Sequence, residues 1–400
     1  MYNQENQWKR TFFIIWTGQA FSILGSSAAQ FAIIWWLTVQ TGSPAVLAMA
    51  TMAGFLPQAL IGPFAGVWVD RFSRKIVMIA ADLFIAVVSI VLAILFLFGT
   101  PPTWIIYLIL FLRAIGSVFH TTAMQASMPM LVPESELVKT GGWSQFLQSG
   151  SLMLGPVIGT MLMTYFSIPA VMLIDIVGAG LAAFALAMVK LPDPAIDLTT
   201  NQNILQDLLE GLKEIRKNKP LRALSVPILL VTLIYVPVSS LFPLMINGHF
   251  GGNAWQASLI EFLFAGGMMA SSLILGVWGG LKNKFIMINL SLGFLGVTLA
   301  AAGVLPPSGF IGFAVLCTVM GLTGNFFTVP YIAYIQSTID PAALGRVFAI
   351  VTSIMSLAIP VGLFVAAPIA EMVGIASWFV VSGVLIILAA IIGFLLTRRF

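Results

Sequence analysis

The stretch GVWVDRFSRK at positions 66–75 is echoed as GVWGGLKNK at positions 276–284. Each copy follows one long apolar run and precedes the next, and the copies lie a little over half the chain apart. A weak internal repeat that divides a hydrophobic chain into halves is typical of a duplicated membrane transporter.

The composition excludes a protein whose surface faces water. Hydrophobic residues make up 60% of the chain and charged residues only 8%, whereas soluble domains carry about 25% charged residues. The apolar runs of about 20 residues or more suit helices that cross about 30 Å of hydrocarbon, and the alternating strands of a membrane barrel do not occur. Cys317 is the only cysteine, so no internal disulfide can form.

The pattern predicts an all-α integral membrane protein with twelve transmembrane helices in two pseudo-symmetric halves of six. The domains are a bundle over 1–190, a linker over 191–220 and a second bundle over 221–400. Turn residues such as Pro101-Pro102 and Gly251-Gly252-Asn253 separate the spans. The predicted spans are 12–39, 45–69, 76–98, 104–127, 141–165, 168–189, 222–247, 254–279, 285–305, 309–337, 347–370 and 374–397.

The basic residues indicate the orientation. All Lys and Arg outside the spans fall in the termini and in the loops after even-numbered spans, and the other loops contain none. The positive-inside rule then predicts both termini in the cytoplasm. The polar start of the chain lacks a small-residue cleavage site after a short apolar core, so we expect no removed signal peptide. The net charge of +4 reflects this topology, and nucleic acid is not expected as a partner.

The linker carries apolar residues at three- and four-residue spacing and charged residues between them. We predict an amphipathic helix that lies on the inner membrane surface. It is either a tether packed on the helix ends or a regulatory docking site. The apolar positions are Ile204, Leu205, Leu208, Leu209, Leu212 and Ile215.

Four ionisable residues fall inside or near the spans at positions from which the side chain has no obvious route to the membrane surface: Arg113, Asp175, Glu261 and Asp82. A charge at the centre of a membrane helix costs about 2.5–3.5 kcal/mol on insertion scales, so such residues usually face a partner or a transport path. We predict Glu261, Asp175 and Arg113 to be proton-coupling or substrate-cation residues. Glu261 is the strongest candidate, because the interior of the second-half spans contains no Lys or Arg. Desolvation penalises the charged form of an unpaired carboxylate, which can then exchange a proton near neutral pH.

Each of these residues also has a plainer interpretation. Arg113 and Asp175 belong to the same half and could form an ion pair that holds it together. Asp82 could be an acid at a helix N-terminus, favoured by the helix dipole and by nearby cations. His120 could be an ordinary packing residue.

The repeat at 66–75 resembles the loop motif of the major facilitator superfamily, in which a Gly is followed by Asp-Arg and then Arg-Lys. The matching residues are Gly66, Asp70, Arg71, Arg74 and Lys75. The resemblance implies that Asp70 helps to hold the two halves together on the inner side when the transporter opens outward. In the second copy Gly280 stands where the first has Asp70, so we expect the intact latch in the first loop.

Span five resembles the antiporter motif of drug exporters in this superfamily, with Ser151 and Thr160 where Gly is commoner. The other matching residues are Gly142, Gly155, Pro156 and Gly159. Small residues at this spacing give a groove for close helix packing, and Pro156 bends the helix. Ordinary packing explains the same pattern. The motif is associated with proton-coupled export.

Across almost the whole chain the sequence is similar to the macrolide efflux proteins of the drug–proton antiporter branch, the Mef type. The resemblance rests on segments such as WKR at 8–10, GFLP at 54–57, RAIG at 113–116 and GRVF at 345–348. It implies proton-coupled export of macrolide antibiotics from a bacterial cytoplasmic membrane by alternating access. It also implies an influence of Arg113 on proton transfer, and Glu261, Asp175 and Arg113 fall where those proteins carry the same charges. An exporter of a siderophore or another amphipathic metabolite, or a non-transporting membrane sensor, remains an alternative.

No nucleotide-binding loop of the form GxxxxGK[ST] and no catalytic cluster occurs in the sequence. We therefore predict a non-enzymatic transporter that acts as a monomer without a cofactor or metal. Its partners would be an amphipathic drug, protons and lipid. Candidate substrate-cavity residues, each of which could instead pack in the core or face lipid, are Tyr235, Phe242, Met268, Met269, Phe326, Phe327 and Tyr331.

Overall fold

The computed structural model describes residues 2–69, 72–133, 137–189, 191, 212–339 and 341–400. Within these residues, twelve helices are long and apolar enough to cross a membrane, which confirms the predicted spans. The helices are α1 (Tyr2–Thr41), α2 (Pro44–Val69), α3 (Arg74–Phe98), α4 (Thr103–Leu131), α5 (Leu137–Tyr165), α6 (Ile168–Met188), α7 (Lys219–Ser240), α8 (Ala254–Trp278), α9 (Lys284–Val304), α10 (Phe310–Thr338), α11 (Pro341–Val373) and α12 (Ile375–Thr397).

Several helix ends differ from the predicted ones for local reasons. The seventh span, predicted to run to 247, ends at Ser240 and is followed by a short helix, Phe242–Leu244, and a π-helical turn, Met245–His249. The last turn of α7 tightens, since Leu241 N–H donates to Val238 O three residues back. Pro243 has no N–H to donate and lies at the start of the short helix, where that N–H would have no helical partner anyway. α11 begins at Pro341 rather than at 347, because a proline near the first helical position removes only a hydrogen bond that would be missing anyway.

The chain divides into two compact units: a first unit of Met1–Leu37 with Ala53–Thr199, and a second unit of Thr38–Met52 with Thr200–Phe400. The segment 38–52 belongs to the second unit through contacts with α11. Ser43 Oγ donates a 2.8 Å hydrogen bond to Glu371 Oε1, and Ala48 packs on Leu363 and Ala367.

The two units use the same packing pattern. In the first unit α3 packs on α4 and α6, and in the second unit α9 packs on α10 and α12. α1 lies against α5 and α6 through Gly159 and Gly178, where an added Cβ would lie 2.7 Å from the carbonyl oxygens of Ala28 and Phe21. α7 correspondingly lies against α11 and α12. Repetition of helix partners at six-helix intervals is the structural form of the duplication.

The second copy of the loop motif needs glycine where the first copy has its acid. Gly279 and Gly280 adopt φ values of +75° and +81°, and Gly279 N–H donates to Leu275 O as the cap of α8. Residues with a Cβ rarely adopt this left-handed backbone, so an acid at 280 would be strained. Asn283 then caps α9 by accepting from the N–H groups of Phe285 and Ile286.

We define the basic end of each unit as the helix ends that carry its Lys and Arg residues, namely Arg74 and Lys75 in the first unit and Lys219 and Lys284 in the second. α3, α7 and α9 start at this end. Depth from the basic end can therefore be counted along α3 at about 1.5 Å per residue.

Close packing of α8 on α10 gives a test of the fold. A Cβ at Gly321 would overlap the carbonyl oxygen of Phe264, whereas a Cβ at Gly324, one turn along, would meet nothing within 4 Å. We expect Gly321→Ala to destabilise the protein by about 1–3 kcal/mol, because the helices must separate. Gly324→Ala is the matched control and should be neutral or slightly stabilising. Thermal unfolding in detergent measures both, and equal melting temperatures would contradict the packing.

Candidate functional site: ionisable groups inside the spans

Asp175 and Arg113 form a buried ion pair in the first unit. Arg113 Nη1 donates to Asp175 Oδ2 and to Ser89 Oγ. Ser89 Oγ donates to Asp175 Oδ2 at 2.6 Å, and Ser26 Oγ donates to Asp175 Oδ1 at 2.5 Å. The exposed fractions are 0% for Asp175 and 7% for Arg113. Four helices, α1, α3, α4 and α6, thus meet at one charge-compensated network.

Asp82 lies deeper than the sequence indicated. Because α3 begins at Arg74, Asp82 is in the third turn and only 2% exposed, so it is not an acid of the first helical turn. Gln19 Nε2 lies 3.5 Å and His120 Nε2 3.6 Å from Asp82 Oδ2. His120 is also buried, and its Nε2 has no hydrogen-bond partner among the described residues.

Glu261 differs from these acids because it has no ion pair or hydrogen bond among the described residues, and its side chain is exposed on α8. With about 3.6 residues per turn, Glu261, Met268 and Ser272 lie on one face of the helix. Exposed aliphatic side chains occupy a different face: Leu259, Leu273 and Ile274. The acid therefore does not lie among the residues best suited to lipid contact.

Two ionisable groups of neighbouring helices are within electrostatic range of Glu261: the Tyr235 hydroxyl of α7 and the Cys317 thiol of α10. The Tyr235 hydroxyl is buried and has no hydrogen-bond partner among the described residues. Cys317 is fully buried. Neither group is a cation, so neither supplies a counterion for the acid.

Asn325 is a polar contact that the sequence reasoning missed. Its Nδ2 donates to Met268 O at 2.7 Å and to Ser272 Oγ at 2.9 Å, and so ties α10 to the face of α8 that carries Glu261. The amide itself could have revealed the contact, because an amide side chain inside a membrane span requires a hydrogen-bond partner.

The cations of the loop motif anchor helix ends within the first unit. Arg74 Nη1 donates to Ala126 O near the end of α4. Lys75 Nζ donates to Ala187 O at 3.0 Å and to Val189 O at 2.7 Å, at the C-terminus of α6. Cations suit helix C-termini because they satisfy free carbonyls and oppose the negative end of the dipole.

Parts of the sequence motifs lie outside what the structure describes. Asp70 and Arg71 are outside the described residues, as are the side-chain surroundings of Gly66 and Gly142. The same holds for the predicted linker helix, of which 212–217 alone is described, as helix.

The remaining antiporter-motif residues pack α5 on α1. Ser151 O accepts a 2.9 Å hydrogen bond from Ser27 Oγ, and a Cβ at Gly155 would overlap this serine. Pro156 lies inside α5, as the sequence indicated. These small residues therefore let α5 pack closely on α1, as expected for ordinary helix packing.

Two of the seven candidate cavity residues are core residues. Phe242 is 7% exposed, with its ring centroid 5.8 Å from that of Phe313 and 5.5 Å from that of Phe379. Tyr331 is 5% exposed, and its hydroxyl lies 2.8 Å from Ser225 Oγ of α7. Both residues therefore make the core contacts that were the alternative interpretation of their positions, and a role in a substrate cavity stays a prediction. Met269 is exposed, and Tyr235, Met268, Phe326 and Phe327 are partly buried.

The helical architecture and the isolated acid define a class of membrane transporter, and comparison with known proteins identifies its family. The family model described as Major Facilitator Superfamily matches residues 15–308. The chain belongs to this family, and it is a multi-pass bacterial membrane transporter rather than an enzyme.

Curated relatives narrow the comparison. The chain is 41% identical to macrolide efflux protein A of Streptococcus pyogenes over 388 residues, which cover 97% of this chain and 96% of the relative. It is 39% identical to macrolide efflux protein A of Enterococcus faecalis over 323 residues, covering 80% and 100%. The multidrug efflux pump Tap of Mycobacterium tuberculosis is 28% identical over 360 residues, covering 86% and 83%. The resemblance stated from the sequence is confirmed.

A solved structure agrees in fold. A bacterial homologue of the human lysosomal transporter Spinster, in an inward-facing and unoccupied conformation, superposes with a TM-score of 0.74. The match covers 98% of this chain and 97% of that one at 12% identity. At this identity the likeness concerns the fold alone.

The ion pair of the first unit yields a stability prediction. Asp175→Asn leaves Arg113 buried without its counterion and should destabilise the protein by about 3–5 kcal/mol. Ser26→Ala, which removes one hydrogen bond from the same carboxylate, should cost only about 1 kcal/mol. Replacing both charges with leucine should recover much of the loss. Unfolding midpoints in detergent measure all three, and equal effects of Asp175→Asn and Ser26→Ala would contradict the assignment.

Proposed function

We propose that this protein exports macrolide antibiotics from the bacterial cytoplasm in exchange for protons, and that Glu261 binds proton and drug cation in turn. The observation that carries the proposal is the unpaired carboxylate of Glu261 on an exposed face of α8. The 41% identity to a macrolide efflux protein over 97% of the chain supports the substrate class.

The position of Glu261 suits reversible protonation. A carboxylate inside a membrane span that lacks a cation favours its neutral form, because desolvation penalises the charge. Binding a drug cation would supply the missing counterion. Asp175, whose oxygens already accept from Arg113, Ser89 and Ser26, has less capacity left for either ligand.

Macrolides are large and mostly apolar and carry a protonatable amino sugar. The amino group would pair with ionised Glu261, and a proton arriving from the outer side would neutralise the acid and release the drug there. After the transporter reopens inward, the proton leaves and the acid can bind drug again. Exchange is obligatory in this scheme because both ligands need the same ionised carboxylate.

The residues around Glu261 fit loose apolar recognition. Met268 and Met269 lie on the same helix, within about 12 Å along its axis at 1.5 Å per residue, and Phe326 and Phe327 lie on α10 next to Asn325. Methionine and aromatic side chains adapt to ligands of varied shape. The Tyr235 hydroxyl supplies a polar group at the acid.

The remaining buried charges take a supporting role in this proposal. Arg113 and Asp175 hold α1, α3, α4 and α6 together in the first unit, which was the alternative interpretation of their sequence positions. Both termini lie in the cytoplasm, because all basic loops then face inward.

Transport by purified protein tests the proposal. In proteoliposomes with an imposed pH gradient, adding erythromycin should drive proton movement across the membrane. Glu261→Gln should reduce this flux at least tenfold, because the amide can neither ionise nor pair with a cation. Glu214→Gln is the control, since Glu214 lies outside the spans and pairs with Lys217, and it should transport normally.

The outcomes separate the parts of the proposal. Proton flux with a siderophore but none with erythromycin would overturn the macrolide assignment and leave antiport intact. Normal flux in Glu261→Gln would overturn the role of this residue. Expression in a drug-sensitive bacterial host gives an independent check, because an exporter of macrolides must raise their inhibitory concentration.

A further inference from the structure

We infer that Asp82 and His120 together bind one exchangeable proton in the first unit, at a site separate from Glu261. Their facing atoms, Asp82 Oδ2 and His120 Nε2, lie 3.6 Å apart on neighbouring helices α3 and α4. The inference does not depend on the macrolide assignment or on the role proposed for Glu261.

Charge counting within this pair argues for a bound proton. Both side chains are buried, with exposed fractions of 2% and 8%, and no Lys or Arg pairs with Asp82 among the described residues. An ionised Asp82 beside a neutral imidazole would leave a net buried charge, which is costly in a medium of low polarity. One added proton, on either residue, makes the pair neutral overall.

The neighbours of the pair supply no alternative compensation. Gln19 of α1 donates one long hydrogen bond, at 3.5 Å, to Asp82 Oδ2. Asp175 of α6 is a second acid that acts on Asp82, but it brings no cation to the pair because its own charge is compensated by Arg113. These groups and His120 of α4 are the polar and titratable side chains that interact with Asp82 in the described part of the chain. Nε2 of the imidazole has no hydrogen-bond partner among the described residues. The bound proton would either lie on this nitrogen or be donated to it by the Asp82 carboxyl group.

The polar side chains inside the first unit form two layers. The lower layer, nearer the basic end, contains Asp82 and His120, and the upper layer contains Asp175 and Arg113. Ser26, Ser89 and Arg113 of the upper layer stand seven residues from Gln19, Asp82 and His120 on the same three helices. Seven residues are about 10 Å along a helix. The upper layer contains its own cation, Arg113, which compensates Asp175, whereas the lower layer contains none.

An apolar contact separates the layers. Ile85 lies between Asp82 and Ser89 on α3, and it packs against Gly116, which lies between Arg113 and His120 on α4. A Cβ at Gly116 would lie only 2.7 Å from Ile85 Cγ1, so little space remains for water there. Asp82 is eight residues, or about 12 Å, from the start of α3. Protons would therefore reach the pair from the basic end.

The chain offers a direct spectroscopic test, because it contains only two histidines. In a His249→Gln background, ¹⁵N-histidine NMR of the purified protein reports on His120 alone. The Nε2 resonance should change with pH in one transition between about pH 5 and about pH 8. The change should occur wherever the proton resides, because Nε2 is either part of an imidazolium or the acceptor of a carboxyl O–H.

Three variants decide the origin of the transition. Asp82→Asn keeps the shape and the contact with Gln19 but should abolish the transition, because a buried imidazole without an acid stays neutral. Asp82→Glu should retain it. Glu261→Gln should leave it unchanged, so failure of the proposed transport mechanism is distinguishable from failure of this site. A pH-independent Nε2 resonance in the parent protein, or an unaltered transition in folded Asp82→Asn, would overturn the inference.

Discussion

A bilayer interior offers no water to solvate a charge, and this constraint decides where the ionisable side chains of the chain can lie. The Asp175 carboxylate meets this constraint by accepting three hydrogen bonds, from Ser26, Ser89 and the Arg113 guanidinium that also compensates its charge. The network joins α1, α3, α4 and α6, so the first unit is built around its compensated charge. Removing one partner costs more than removing both, because a lone buried charge keeps the full desolvation penalty.

The second unit contains no such compensated charge among its described residues. Its interior polar contacts are neutral, such as Asn325 on Met268 O and Asn289 Nδ2 on Thr397 Oγ1 at 2.9 Å. Glu261 is the exception, because in the described part of the chain no cation pairs with this acid. The duplication therefore preserved the helix packing and not the charge pattern. The loop motif diverged in the same way, since the left-handed backbone at Gly280 would be strained by the acid found at the matching position of the first loop.

The sequence predicted the architecture well and the side-chain environment only in part. Twelve spans follow from apolar length, which the bilayer thickness fixes. The break after Ser240 was missed because hydropathy continues across it while the hydrogen-bond ladder does not. The burial of Phe242 and Tyr331 could not be predicted, because a helix that is apolar nearly all round gives no sign of its rotation. The sequence favours a helix N-terminal acid at Asp82 and cannot show its partners, because Gln19 and His120 lie far away along the chain.

The central claim is that Glu261 holds either a proton or a drug cation. Binding in detergent tests it without any membrane or gradient. Erythromycin added to the protein in weakly buffered solution, at a pH where Glu261 is protonated, should release about one proton per drug bound, as mutual exclusion requires. Glu261→Gln should release none. Drug binding by the parent protein with no proton release, or equal release from Glu261→Gln, would contradict the account.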